Sequence, residues 1–456
     1  MPKVLYWMGV VMFCVLVLMA VLLYKERTAF IDIAYHLFFI LKDGEFAIQN
    51  YRFVAAGTQV FPLVGSMLGL PLDVIMKLYS VAFPLVFFGC YLVCGVWMKD
   101  KKGALLLLFT TLLFTTDTFY WIQSELQQGL AFLVVLFCWI YSYRGNAQGL
   151  FWIITACLCA TVVFAHPLLL FPLAYGFLFF ALIAEDVTLR KRVVITFAFT
   201  AVAWLAKKFV FTTSYDDSAM GNLRKFITFF PDYFTLSTNK EFLKACVSKF
   251  YAFPIFLFVV VFYYFRQRQW RLLFLLLAFT GGYLLLINVS YEATGATAYY
   301  MENMYLPLSI FVGLPMVYLV LSHPRMYSLA SILIVLMVVG GVFRIWFFRE
   351  PYVARLAWMQ SLLQQHGNEK LVIDEQDIPK EKLMMTWGTP YEFWLLSTSE
   401  TGKTASIVIT ENAAQLNWTM DRKDAFVTVW GVFPYEEFGN NYFRFTDTID
   451  TYQRLH

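Results

Sequence analysis

Residues 29–41 read Ala-Phe-Ile-Asp-Ile-Ala-Tyr-His-Leu-Phe-Phe-Ile-Leu and follow a long apolar run at the start of the chain. At helical spacing Asp32 and His36 share a face, with Tyr35 beside them, while Phe30, Ile33, Leu37, Phe38 and Leu41 form an apolar stripe. The pattern predicts a helix lying at a lipid–water boundary. An acid at its head is either a helix cap or a working group, because hydrocarbon penalises a charge strongly. Partial desolvation raises the proton affinity of a carboxyl, which suits a general base. Asp32 is therefore the candidate catalytic residue. His36 is a candidate for orienting a substrate, or sits in the headgroup layer.

Composition sets the class around this stretch. Of 456 residues, 60% are hydrophobic, 19% aromatic and 14% charged, against roughly one quarter charged in a soluble domain. This is the composition of an all-α polytopic membrane protein. The net charge of +4 is small and the basic residues fall in short clusters between apolar runs, which excludes a nucleic-acid surface. At about 20 apolar residues per span the chain offers about eleven candidates. They lie near 4–23, 73–97, 103–119, 126–143, 150–166, 168–184, 193–207, 251–265, 272–289, 305–321 and 328–347. The first run has no small-residue cleavage site and ends in Tyr24-Lys25-Glu26-Arg27, so it reads as a retained helix.

Short loops bearing Lys and Arg mark the cytoplasmic side. One set holds Lys99, Lys101, Lys102, Arg144, Arg190, Lys191, Arg192, Arg266, Arg268, Arg271 and Arg325; the loops near Thr116–Glu125, His166 and Asn288–Met304 hold none. The N-terminus is then inside and the C-terminus outside, with the long loops 24–72 and 208–250 facing outward. Asp32, Asp43, Glu45, Asp73, Asp117, Glu125, Glu292 and Glu302 all fall in outer loops or at outer helix ends. An ion-coupled transporter keeps ionisable groups or broken helices near the midplane. Here the span middles are nearly free of charge, so the chemistry is expected at the outer surface.

Other candidates surround Asp32. Asp117 and Glu125 are too far apart to share a helix face, but a tight turn between spans could bring both toward Asp32. Arg52 has the planar fork that suits a phosphate, or is an interfacial arginine. Lys77, a turn into the second span, either snorkels outward or lines a cavity. Lys207 with Lys208 and Arg224 with Lys225 are further candidate phosphate ligands, with interface anchoring as the plain alternative. Asp216 and Asp217 sit in a turn-like segment, either against a sugar hydroxyl or solvated. His166-Pro167 lies at a helix junction, either reaching a cavity or ending a helix. Six of the seven cysteines lie within spans, so no disulfide framework is expected.

After Arg349 the composition changes. Residues 1–348 read as the membrane domain and 349–456 as a small α/β extracytoplasmic domain. Tyr352–His366 reads as an amphipathic helix, and 370–374, 405–410, 426–432 and 442–446 as strands. Trp387, Tyr391, Trp394, Trp418 and Trp430 suit sugar stacking or a packed small core.

A first span, an outer loop opening with an acid on a helix, and acids between the third and fourth spans resemble the GT-C superfamily. These are integral-membrane glycosyltransferases that use lipid-linked sugars, including protein O-mannosyltransferases and lipid A aminoarabinose transferases. The segment Tyr299-Tyr-Met-Glu-Asn-Met-Tyr-Leu-Pro-Leu308 adds to the likeness. The resemblance implies a polyprenyl-phosphate sugar donor and an acceptor that is lipid, glycan or protein. It places the site at the outer face of the cytoplasmic membrane. Asp32 would take the acceptor proton in a single displacement with inversion. His36, Asp117, Glu125 and Glu302 would orient the substrates, Asp117 and Glu125 holding a divalent metal instead in the oligosaccharide-transferring branch, and Arg52, Lys77, Lys207 and Arg224 would hold the donor phosphate. Two family habits are missing: Asp32 is followed by Ile33 and not by Glu, and there is no Asp-x-Asp motif. Metal dependence and subfamily are therefore open. The alternatives are an O-antigen ligase or polysaccharide polymerase, and a non-catalytic transporter or flippase.

Overall fold

The computed structural model describes residues 3–455 apart from 123, 144, 146, 212, 215–220, 292–296, 368, 440 and 446–449. Arg144, Asp216, Asp217 and Glu292 lie outside the described residues. The chain is about 74% helical. Among the described residues seven helices are long and apolar enough to cross a membrane. They are Lys3–Leu22, Leu72–Trp97, Glu125–Ser142, Val187–Val210, Trp270–Ser290, Ala298–Val320 and the start of the tract Tyr327–His366. An eighth forms if Ser237–Ser248 and Ala252–Arg266, bent by 90°, are one broken span.

The remaining expected spans are shorter helices. The reading of 103–119 as one span gives a helix of only 12 residues, Lys101–Leu112. It stops because the Arg344 guanidinium takes the carbonyls of Leu112, Leu113 and Thr115, at 2.5, 3.3 and 3.0 Å, that continued helix would have used. The helix is buried from Gly103 to Leu112. A Cβ on Gly103 would lie 1.9 Å from Cys138 Sγ, so only glycine lets it press this closely on Glu125–Ser142. The segment 24–72 also holds a helix that the apolar pattern did not signal, Ala56–Met67, with Pro62 inside it.

Polar contacts sort the loops to two ends of the bundle. At one end Lys102 donates to Ser322 at 2.7 Å, Arg192 to the Tyr143 carbonyl at 3.1 Å, and Ser142 to Asp100 at 2.9 Å. At the other end meet the loops around Asp32, Thr116–Glu125, Lys249 and Tyr352. The basic short loops thus gather away from the acids, as their charge implied.

The segment after Arg349 opens with helix Glu350–His366. Strand β1 (Lys370–Asp374), helix Thr389–Thr401 and β2 (Ser406–Thr410) form a parallel βαβ unit, and β5 (Gln453–Leu455) pairs with the other edge of β1. The expected strand over 426–432 splits into an antiparallel pair, β3 (Ala425–Val427) and β4 (Val432–Pro434). The described part of 442–446 is not a strand; the last one forms at 453–455. Helix Thr389–Thr401 escaped the sequence reading because it is buried on every side through Thr398 and so shows no amphipathic period.

The Asp32 helix, Ile31–Asp43, departs most from expectation. Its apolar stripe does not face lipid. Phe38 is fully buried, with ring centroids 5.0 Å from Tyr391, 5.3 Å from Trp394 and 5.4 Å from both Phe426 and Phe443. One hydrophobic core therefore joins this helix, helix Leu72–Leu92 and the C-terminal segment. An apolar stripe records only that a face avoids water; protein satisfies it as well as lipid does.

Candidate functional site

A cavity of about 590 Å³ opens where the loops of this end converge. Asp32 lines it from the first turn of its helix. Asp32 is not the cap of that helix, since Phe30 holds the N-cap position and no side chain caps it. Instead Asp32 Oδ2 accepts the Trp121 indole N–H at 3.2 Å. Trp121 in turn packs edge-on against Tyr300, with centroids 4.2 Å apart. His36 stands one turn on and also lines the cavity, and Glu125 enters at the start of helix Glu125–Ser142. Ser124 fixes that helix end, its hydroxyl accepting the Gln127 amide at 3.3 Å and donating to Asn303 at 2.7 Å. Arg52 and His166 form the cationic side, with Arg52 donating to Glu125 at 3.4 Å. The C-terminal segment supplies a wall of two stacked indoles, Trp387 and Trp430, 4.6 Å apart.

The electrostatics follow from this packing. Asp32 is half-buried, surrounded by protein except toward the cavity. Desolvation first and the like charge of Glu125 second push its carboxyl up to about 7; Trp121 and Arg52 pull the other way. His36 is buried, which lowers its proton affinity, and its Nδ1–H donates to the Ala47 carbonyl at 2.9 Å. Nε2 is then its basic nitrogen. His166 is driven well below the usual histidine range by burial and by the nearby Arg52 and Lys207 charges. Its Nδ1 accepts the Leu168 amide at 3.2 Å, so the neutral ring carries its proton on Nε2. The cavity thus sets a carboxyl poised to gain or lose a proton near neutrality beside a guanidinium and a neutral N–H donor.

This balance is testable without a substrate. Glu125→Gln removes the like charge and leaves Arg52 nearer to Asp32 in effect, so the Asp32 midpoint is expected to fall by about one pH unit. Infrared spectra of the protonated carboxyl, taken against Asp32→Asn, read that midpoint; an unchanged or raised value would refute the coupling.

The structure separates the other candidates from this cavity. Asp117 does not approach Asp32 as the tight-turn reading required. It pairs with Lys249 at 2.5 Å and accepts from Tyr352 at 3.4 Å. Glu302, expected to orient a substrate, is buried and accepts the backbone amides of Thr116, Asp117 and Thr118 at 2.6, 3.1 and 2.8 Å and the Thr118 hydroxyl at 2.7 Å. It organises the loop that carries Trp121. Lys77 does not line this cavity: it pairs with Asp73 at 2.6 Å and lies over the Tyr24 ring. Lys207 is buried behind the cavity wall, donating to the Val163 carbonyl at 2.9 Å. Arg224 is exposed on the short turn Asn222–Arg224, away from the cavity.

Trp121, Asn303 and the C-terminal indoles were not singled out as partners of Asp32, because each comes from a distant part of the chain and no spacing announces it. Among the described residues no three His, Cys, Asp or Glu side chains gather as a metal site. No protein-family model, curated protein or solved structure matches the chain.

Proposed function

We propose that the chain is a membrane glycosyltransferase that moves a sugar from a polyprenyl-phosphate donor to an acceptor at the outer face of the cytoplasmic membrane. One observation carries this reading: a half-buried carboxyl with raised proton affinity shares a cavity with the Arg52 guanidinium and the His166 N–H. Asp32 takes the acceptor proton as the acceptor oxygen or nitrogen bonds to the anomeric carbon. The anomeric C–O bond to phosphate breaks, and the bond pair leaves with the polyprenyl phosphate, which Arg52 and His166 Nε2–H hold. A single displacement inverts the anomeric centre. No step needs a metal.

A lipid-linked donor fits the surroundings. Tyr51 and Phe53 flank Arg52, and their rings continue to Phe211 and Phe164 at 5.5 and 5.7 Å, with Phe164 and Phe211 5.4 Å apart. This aromatic track ends beside the exposed apolar residues Leu205, Phe209 and Val210. A phosphate on Arg52 would have its hydrocarbon tail directed along that track into lipid. The stacked Trp387 and Trp430, which also line the cavity, offer a flat apolar face to an acceptor.

The ligase or polymerase reading has one observation in its favour, a histidine and an arginine side by side in the cavity, His166 and Arg52. The transporter reading is less well supported, since the cavity is lined by loops and helix ends and not by span middles. Return of the wild type or Asp32→Asn to cells lacking the gene tests all three. A transferase restores a missing surface sugar only as wild type, and the lipid-linked donor accumulates with the variant. Identical behaviour of the two proteins would sink the transferase reading.

A further inference from the structure

The residue before Asp32 is held in an unusual conformation. Ile31 has φ +35, a left-handed backbone that a β-branched side chain adopts only when its surroundings compel it. What compels it comes from the C-terminal segment. The Ile31 amide donates to Glu392 Oε1 at 2.6 Å. Glu392 is fully buried and its other oxygen pairs with Arg355, which is 2% exposed. Arg355 also grips the same stretch: it donates to the Ala29 carbonyl at 3.3 Å and lies over the Phe30 ring at 4.9 Å. Gly388 completes the contact, for a Cβ there would stand 2.7 Å from Ile31 Cα. Three consecutive residues, Ala29, Phe30 and Ile31, are thus held by a buried ion pair and a close backbone approach from far later in the chain, 326 residues for Ala29 to Arg355 and 361 for Ile31 to Glu392.

From this geometry we infer that Glu392, anchored by Arg355, is a positioning residue that fixes from the C-terminal domain the strained turn aiming the Asp32 carboxyl into the cavity. A buried ion pair is seldom worth its desolvation as stability alone. Here it fastens one backbone amide at the entry of the helix that carries the reactive group. The role rests on the proposed use of Asp32 as the base, yet the clamp is measurable without any turnover. The C-terminal segment then does more than cover the site: the site is incomplete without it.

The experiment uses the full chain in lipid nanodiscs. The protonated-carboxyl infrared band is titrated with pH, and Asp32→Asn in each background isolates the Asp32 contribution. Asp32 faces Glu125 from the neighbouring helix, Arg52 and Trp121 from the loops, and His36 on its own helix. These stay unchanged in both test variants. Glu392→Gln weakens the hold of Arg355, and Gly388→Ala, whose Cβ would stand 2.7 Å from Ile31 Cα and 3.2 Å from Glu392 Oε1, forces the Ile31 backbone to move while both charges of the ion pair are kept. Each is expected to let Asp32 relax toward water and lower its midpoint by about one pH unit. If turnover is present, kcat falls and its pH profile shifts with the midpoint, while KM for the donor holds. Unmoved midpoints in folded variants overturn the inference. Should Glu392→Gln fail to fold, Gly388→Ala decides alone. Absence of transfer in every protein would count against the transferase reading while the titration still judged the clamp.

Discussion

Asp32→Asn is expected to lower turnover by about 10²- to 10⁴-fold, the range for a lost general base, with donor binding retained. The amide keeps the shape of the carboxyl and still accepts from Trp121, but it has no lone pair basic enough to take the acceptor proton. Because Asp32 titrates at about 7, wild-type turnover should rise with pH through neutrality and level off above it. The residual activity of the variant should lack that limb. A second sign accompanies the first. The folded protein holds the Asp32 proton up to about 7 where the ordinary value is 3.8, so between those values it binds more protons than the unfolded chain. Stability therefore falls as pH rises across that window. Asp32→Asn, which cannot ionise, should melt above the wild type at pH 8 and lose the advantage on acidification toward the ordinary carboxylate range. Melting curves and initial rates over the same pH series check both signs. A variant with wild-type turnover would mean that Asp32 does no proton transfer.

Much of this arrangement was legible in the linear pattern, for physical reasons that also explain the gaps. Hydropathy and the alternation of basic and charge-poor loops marked the apolar helices and sorted the loops to two ends, because water and lipid impose those regularities locally, yet of about eleven expected spans seven among the described residues are long and apolar enough to cross a membrane. The 3.6-residue period placed Asp32 and His36 on one face, and both do line the cavity. Arg52 meets Asp32 there from the same loop, and Glu125 joins them from the first turn of helix Glu125–Ser142. Asp117 and Glu302 illustrate the limit. Both are acids at the same end, and nothing in their spacing told a carboxylate that binds backbone amides from one that faces a cavity. The stripe on the Asp32 helix shows the same limit: Phe38 is packed against the C-terminal segment and not against lipid. Trp121, Glu392 and Arg355 were invisible as partners, since their contacts span 89, 361 and 326 residues.

The largest loss of stability is expected at Glu302. Its carboxylate accepts three successive backbone amides, those of Thr116, Asp117 and Thr118, and the Thr118 hydroxyl besides. Glu302→Ala would leave these donors without their acceptor, and Lys249 would lose the attraction of one of the two carboxylates beside it. Removing one partner from such a buried, hydrogen-bonded group costs about 3–5 kcal/mol, a large part of a typical folding free energy. Glu302→Gln should fall between, since its single carbonyl oxygen can serve the Thr116 and Thr118 amides while its NH₂ group faces the Asp117 amide. The order of melting temperatures in one detergent, wild type above Gln above Ala, is the check on the clamp. The same variants separate architecture from chemistry. The loop that Glu302 fastens carries Trp121, whose indole N–H stabilises the charged form of Asp32. Loosening it should raise the Asp32 midpoint unless water enters, in which case the midpoint falls; either shift ties the buried clamp to the cavity. An Ala variant that melts with the wild type and titrates as it does would leave Glu302 free for the substrate-orienting role that its position in the sequence first proposed.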